Sequence, residues 1–243
     1  SDLNLNQAIH YSYMSTTSYD STYAPALTEF LSWQFDELFN VFDLSNPTIL
    51  QMLGVKYIGV YKEENLPMFN DGYTYSFDLN AFKMYEMNNH NSIAHTYTDY
   101  ISKSEFVKIV DKSQFSYNDT LIVNDEDMDD VTDLDVNYKQ QFQVYDYTNN
   151  WFNGQINVDN NAILFVATPY SSGWRVVDDN NQSYSTINVN GGFLGVIIPK
   201  GTTNLSFRYI TPGFKIGAVM SGMGILSLLV MIYVDRKIIK KTR

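Results

Sequence analysis

Nineteen consecutive residues without a charge, Ile216–Val234 (IGAVMSGMGILSLLVMIYV), lie close to the C-terminus of this 243-residue chain. A helix of that length rises roughly 28 Å, about one hydrocarbon core. No polar face interrupts the run, so a membrane span is expected rather than a buried helix. Phe214 and Lys215 at one end, and Tyr233 with Arg236 and Lys237 at the other, are the expected membrane-interface residues.

Charge divides the chain at that segment. The last nine residues, Asp235–Arg243, carry five of the 16 basic groups and one acid, whereas everything before them nets −15. The positive-inside rule then puts the tail in the cytoplasm and residues 1–211 outside a bacterial cell membrane. The chain opens on Ser1 without a basic-then-apolar leader. We therefore expect the C-terminal piece of a longer membrane protein.

Composition narrows the function classes. An apolar fraction of 44% and an aromatic fraction of 15% are enough for a core. The absence of cysteine removes disulfides, thiolate zinc sites, Fe–S clusters and cysteine nucleophiles. A net charge of −11 repels phosphate backbones, so no nucleic-acid partner is expected.

Along the chain, Pro25–Phe39 reads as an amphipathic helix, with Leu27, Phe30, Leu31, Phe35, Leu38 and Phe39 at spacings of three and four. Asn46-Pro47 starts a short helix that Gly54 closes, and Val55–Tyr61 is a strand. A turn at Pro67–Gly72 precedes strands at Ala81–Glu86 and Ile93–Tyr97. Ser102 with Glu105 forms a capping box for a helix over about 103–112, followed by a short strand at Leu121–Val123.

From Gln140 seven short strands follow: Gln141–Tyr147, Gln155–Val158, Ala162–Thr168, Trp174–Val177, Tyr184–Val189, Phe193–Ile198 and Leu205–Tyr209. Asn160-Asn161, Asp179-Asn180-Asn181, Asn190-Gly191-Gly192 and Lys200-Gly201 supply the turns. That spacing suggests a β-sandwich. The expected fold is α+β and β-rich: a mixed region over 1–138, an antiparallel sandwich over 139–211, a span over 212–235 and a basic tail over 236–243.

Chemistry-bearing motifs are sparse. The acidic run Asp125, Glu126, Asp127, Asp129, Asp130, Asp133 and Asp135 lacks the central Gly and terminal Glu of a calcium loop and reads as a solvated linker. The histidines, His10, His90 and His95, do not have the spacing of a zinc site. No GxSxG elbow, P-loop or GxGxxG-to-helix unit occurs. Tyr209-Ile210-Thr211-Pro212-Gly213 is unlike a wall-sorting signal, so the span is expected to be retained. Tyr170 and Trp174 are candidates for stacking on a sugar face, against the plainer role of packing in the core.

The run from Ala167 to Ser221 carries a recognisable series: Pro169-Tyr170, Gly173-Trp174, Gly192-Phe193-Leu194-Gly195-Val196, Pro199-Lys200-Gly201, Tyr209, Pro212-Gly213-Phe214, Gly217 and Ser221. It resembles the end of the YfhO family of bacterial multi-spanning membrane proteins. Asp178-Asp179-Asn180-Asn181 stands where that family has an Asp-Gly turn. Upstream, Tyr19–Tyr23, Leu53–Ile58 and Lys83–Asn88 resemble further family blocks. The resemblance implies a GT-C-type glycosyltransferase with a polyprenyl-phosphate sugar donor. The implied acceptor is a cell-envelope polymer such as a lipoteichoic acid. It implies partners in the bilayer and in N-terminal spans of the same protein, and no cofactor. The family's catalytic acid lies in an early loop, so no residue here is assigned a catalytic role and this piece is expected to be accessory. The alternative is a single-pass surface binding or structural module without enzymatic activity.

Overall fold

The structure, a computed structural model, describes residues 27–34, 47–61, 72–109, 112, 115–131, 139–148 and 150–241. The Tyr19–Tyr23 block, His10, Asn46, Phe35–Phe39, the turn at 67–71, Asp133 and Asp135 lie outside the described residues. Four helices, α1 (Thr28–Gln34), α2 (Pro47–Met52), α3 (Lys103–Val107) and α4 (Phe214–Lys241), accompany thirteen strands among the described residues.

The strands form three sheets. The largest orders β4 (Ala94–Thr96), β9 (Ala162–Pro169), β12 (Phe193–Ile198), β11 (Thr186–Val189), β6 (Thr120–Val123) and β5 (Asp99–Ser102). A four-stranded sheet orders β10 (Trp174–Asp178), β13 (Gly201–Tyr209), β8 (Trp151–Val158) and β7 (Gln143–Tyr147). A three-stranded sheet orders β1 (Tyr57–Tyr61), β3 (Phe82–Met87) and β2 (Tyr73–Leu79). All pairs are antiparallel except β5 with β6, which α3 connects. Parallel neighbours require such a crossover.

The six-stranded sheet is the middle layer of three. On β9, Ile163 and Phe165 join a core with Phe30 of α1, Ile49 and Met52 of α2 and Phe106 of α3. Ala162, Leu164 and Val166 point the other way, into a core with Phe152, Ile156, Val176, Leu205 and Phe207 of the four-stranded sheet. This double burial explains why β9 reads as the unbroken apolar run Ala-Ile-Leu-Phe-Val rather than as an alternation.

The seven strands expected after Gln140 all form, within a few residues of their expected ends. The 138/139 boundary does not coincide with a break between sheets. β4 pairs with β9 and β6 with β11, so strands from before it complete the larger sheet of the sandwich. Two further strands, β2 and β5, fall where the sequence reading placed none.

Local signals hold where they are specific. Ser102 Oγ accepts from Glu105 N at 3.2 Å and Glu105 Oε2 accepts from Ser102 N at 3.0 Å, the reciprocal pair that starts α3. The helix itself ends at Val107, earlier than the 112 expected. At the β11–β12 turn Asn190 sits at φ 47° and is fully buried. Its Oδ1 accepts from Ile122 N at 2.8 Å and its Nδ2 donates to Tyr97 Oη at 3.2 Å. The turn residue is therefore also a clasp between β6, β11 and the loop after β4.

Candidate functional site

One end of the sandwich leads into α4. There β13 finishes at Tyr209, Ile210 N donates to Gly173 O at 3.1 Å, and Thr211-Pro212-Gly213 lead directly to Phe214. Gly173 is required by proximity: a Cβ on it would lie 2.4 Å from Ile210 O. Gly217 N donates to Gly213 O at 2.8 Å, closing the first turn of the helix.

The two sugar-contact candidates, Tyr170 and Trp174, both pack against the core at this end. Trp174 opens β10 with only 9% of its surface exposed. Its ring lies 5.2 Å from Tyr209 and 6.0 Å from Phe152, and Nε1 donates to Pro169 O at 3.2 Å. Tyr170 is half-buried against the same core, and its N donates to Gly192 O at 2.8 Å.

The interface candidates stand on α4. Phe214 and Tyr233 bracket a 20-residue stretch long and apolar enough to cross a membrane. They are 67% and 65% exposed, and Lys215 beside Phe214 is also exposed. Every side chain between them is exposed too, so this stretch of the helix is buried against no other described element. The backbone of α4 continues through Arg236 and Lys237.

A second polar constellation gathers the loop between β3 and β4, the end of α2 and the segments that lead into β6 and β7. Asn91 Nδ2 donates to Gln51 O at 2.9 Å and Asn118 Oδ1 at 2.7 Å, and its Oδ1 accepts from Gln141 Nε2 at 3.0 Å. Lys139 Nζ donates to Asn118 O and, at 2.7 Å, to Asn118 Oδ1, and it lies 5.5 Å from the Tyr97 ring. Burial pulls the Lys139 ammonium down to about 8, against the opposing pull of Asp119. His95 is fully buried, with Nδ1 donating to Ser92 O at 3.3 Å. Burial, reinforced by the Lys139 charge, lowers it to about 3, so it stays neutral. These groups saturate one another, and no open nucleophile or acid–base pair results. Asn91, Asn118 and Lys139 carry no shared signal in the sequence, because only the fold brings them together.

His90 Nδ1 is 3.0 Å from Met87 O, apart from His95. The described part of the acidic run forms a 3-10 helix, Asp125–Val131. Among the described residues no three His, Asp or Glu side chains converge on a metal position.

Residues 112–221 match the family model for the bacterial membrane protein YfhO. Over that stretch the chain is similar to the YfhO family. The matched residues contain β6 to β13 and the first two turns of α4, so the match takes in the four-stranded sheet, four of the six strands of the larger sheet and the start of the apolar helix. The YfhO-like blocks at 53–58 and 83–88 lie outside the matched residues. No curated protein and no solved structure matches the chain.

Proposed function

We propose that the chain is the C-terminal, extracytoplasmic part of a multi-spanning membrane glycosyltransferase, together with its last span. The observation that carries this reading is the continuity of the YfhO segment from the sandwich into α4. The rest of the enzyme would supply the donor site for a polyprenyl-phosphate sugar. This part would shape or brace the site of a cell-envelope acceptor such as a teichoic acid. Phe214, Lys215 and Tyr233 would sit at the two bilayer interfaces, and Arg236 and Lys237 would hold the cytoplasmic side. The test is complementation in cells lacking the natural protein. The whole protein should restore sugar on the envelope polymer and the 243-residue chain should not. Transfer by this chain alone would overturn the accessory reading. A reporter after Arg243 should report cytoplasm and one in the exposed Asn180-Asn181 turn should report the outside; the reverse labelling would refute the topology.

A further inference from the structure

The outer face of the four-stranded sheet carries an unusual pairing at its end nearest α4. Trp174 and Val176 of β10, and Leu205 and Phe207 of β13, point into the core. The alternating Arg175 and Arg208 therefore point outward, and both are exposed. The register sets them directly opposite each other, and Arg208 is opposite Trp151 on its other side. One row across three adjacent strands thus reads Arg175, Arg208, Trp151.

Like charges directly opposite on one sheet face, about 5 Å apart at Cβ, repel and destabilise the pair. Nothing described relieves them. Arg175 Nη1 donates to Ser172 O and Trp174 O, both at 3.0 Å, which satisfies N–H groups without neutralising charge. Among the described residues no carboxylate forms an ion pair with either arginine. On this face the nearest acid by register is Asp146, one row further from α4 and two strands from β13, opposite Asn153. Two guanidinium groups carried at directly paired positions can each offer bidentate bonds to one phosphate.

Position selects the kind of phosphate. Arg208 is six residues before Phe214, so its Cα lies within roughly 21 Å of the start of α4. Lys215 adds a third positive group along that short path. Trp is an interfacial residue, suited to headgroup depth. The chain before Asp235 nets −15 with these three groups counted, so an anionic leaflet that repels the chain as a whole would still attract such a cationic row. We propose that Arg175 and Arg208 clamp the phosphate of an anionic phospholipid headgroup in the leaflet from which α4 emerges, holding the outer face of the four-stranded sheet against the bilayer. The proposal rests on α4 spanning the membrane.

The chain has no cysteine, so one nitroxide can be attached at Asn153→Cys, in the row beside Trp151, without background. The full chain would be placed in lipid discs of phosphatidylcholine, with or without phosphatidylglycerol. The nitroxide should lose mobility and aqueous accessibility only where phosphatidylglycerol is present. Arg208→Gln, which removes a guanidinium with no bond among the described residues, should reduce that difference, and Arg175→Gln/Arg208→Gln should abolish it. Arg175→Lys/Arg208→Lys should retain part. Identical spectra in the two lipids, or a difference that survives the double Gln variant, would overturn the site. Inorganic phosphate reproducing the effect in phosphatidylcholine discs would overturn the headgroup assignment in favour of a soluble anion. A second nitroxide at Leu226→Cys should be shielded from aqueous quencher in both lipids; exposure there would refute the spanning reading itself.

Discussion

Strands β9 and β2 are built from residues of similar strand preference, yet they hold opposite positions. β9 is buried on both faces between two cores, and its first five residues have almost no exposed surface. β2 is exposed along nearly its whole length, with Tyr75 at 52%, Phe77 at 41% and Leu79 at 50%. Tyr57 and Phe77 meet edge-to-face at 5.7 Å, and Tyr75 and Tyr85 at 6.0 Å. The six-stranded sheet is held by burial on two sides. Among the described residues the three-stranded sheet has its ladder bonds and aromatic pairs between strands, each pair worth about 0.2–1 kcal/mol. Strand preference therefore brings both into being, but only packing distinguishes a spine from an arm.

The largest expected effect is in the spine. Phe165→Ala removes a ring that touches Phe193, Tyr97 and His95, and should cost about 3–5 kcal/mol, read as a lower urea midpoint. Asn190→Ala leaves Ile122 N without its acceptor and puts alanine at positive φ, for a loss of about 1–3 kcal/mol. Asn190→Asp keeps the acceptor and should lose less; equal losses would mean that the turn, not the clasp, matters.

The buried cluster around His95 should respond to acid. His95 is near 3 when folded and 6.5 when unfolded, so the unfolded chain takes the proton first. Its contribution is complete above pH 6.5 and declines as pH falls toward 3, by up to about 1.4 kcal/mol per pH unit. Urea titrations across that window should show a shallower slope for His95→Gln; parallel slopes would remove His95 from the account. Smallest is the arm: Phe77→Ala should cost under about 1 kcal/mol. A loss as large as that of Phe165→Ala would erase the contrast between spine and arm.

Much of the spine was legible because its strands announce themselves locally. Ala162–Val166 is a bounded apolar run, and Asn190-Gly191-Gly192 is a turn by composition. The capping box of α3 was legible for the same reason. β2 does alternate, Tyr-Thr-Tyr-Ser-Phe-Asp-Leu, but a register shift between Tyr75 and Phe77 blurs its faces, and the four residues of β5 are too few to show a period. Sheet membership was not legible, since β4 and β6 find β9 and β11 by pairing across long separations. The same holds for the sites. Trp174 is conspicuous in the sequence, but its burial depends on Pro169, Tyr209 and Phe152. Arg175 and Arg208 are 33 positions apart and become a pair only through the β10–β13 register.

The link between Tyr209 and Phe214 has a further consequence. Ile210 is pinned to Gly173, and Pro212 has one of its two backbone torsions locked by its ring. A domain leashed so tightly explores only a small volume above its point of attachment. With α4 in a bilayer, each surface group within that volume would meet the leaflet at an effective concentration of the order of millimolar or above. Contacts with dissociation constants that weak, negligible between free molecules, would be occupied most of the time here. Selection acting on this surface can therefore tune orientation with one or two polar residues, without having to build a large interface.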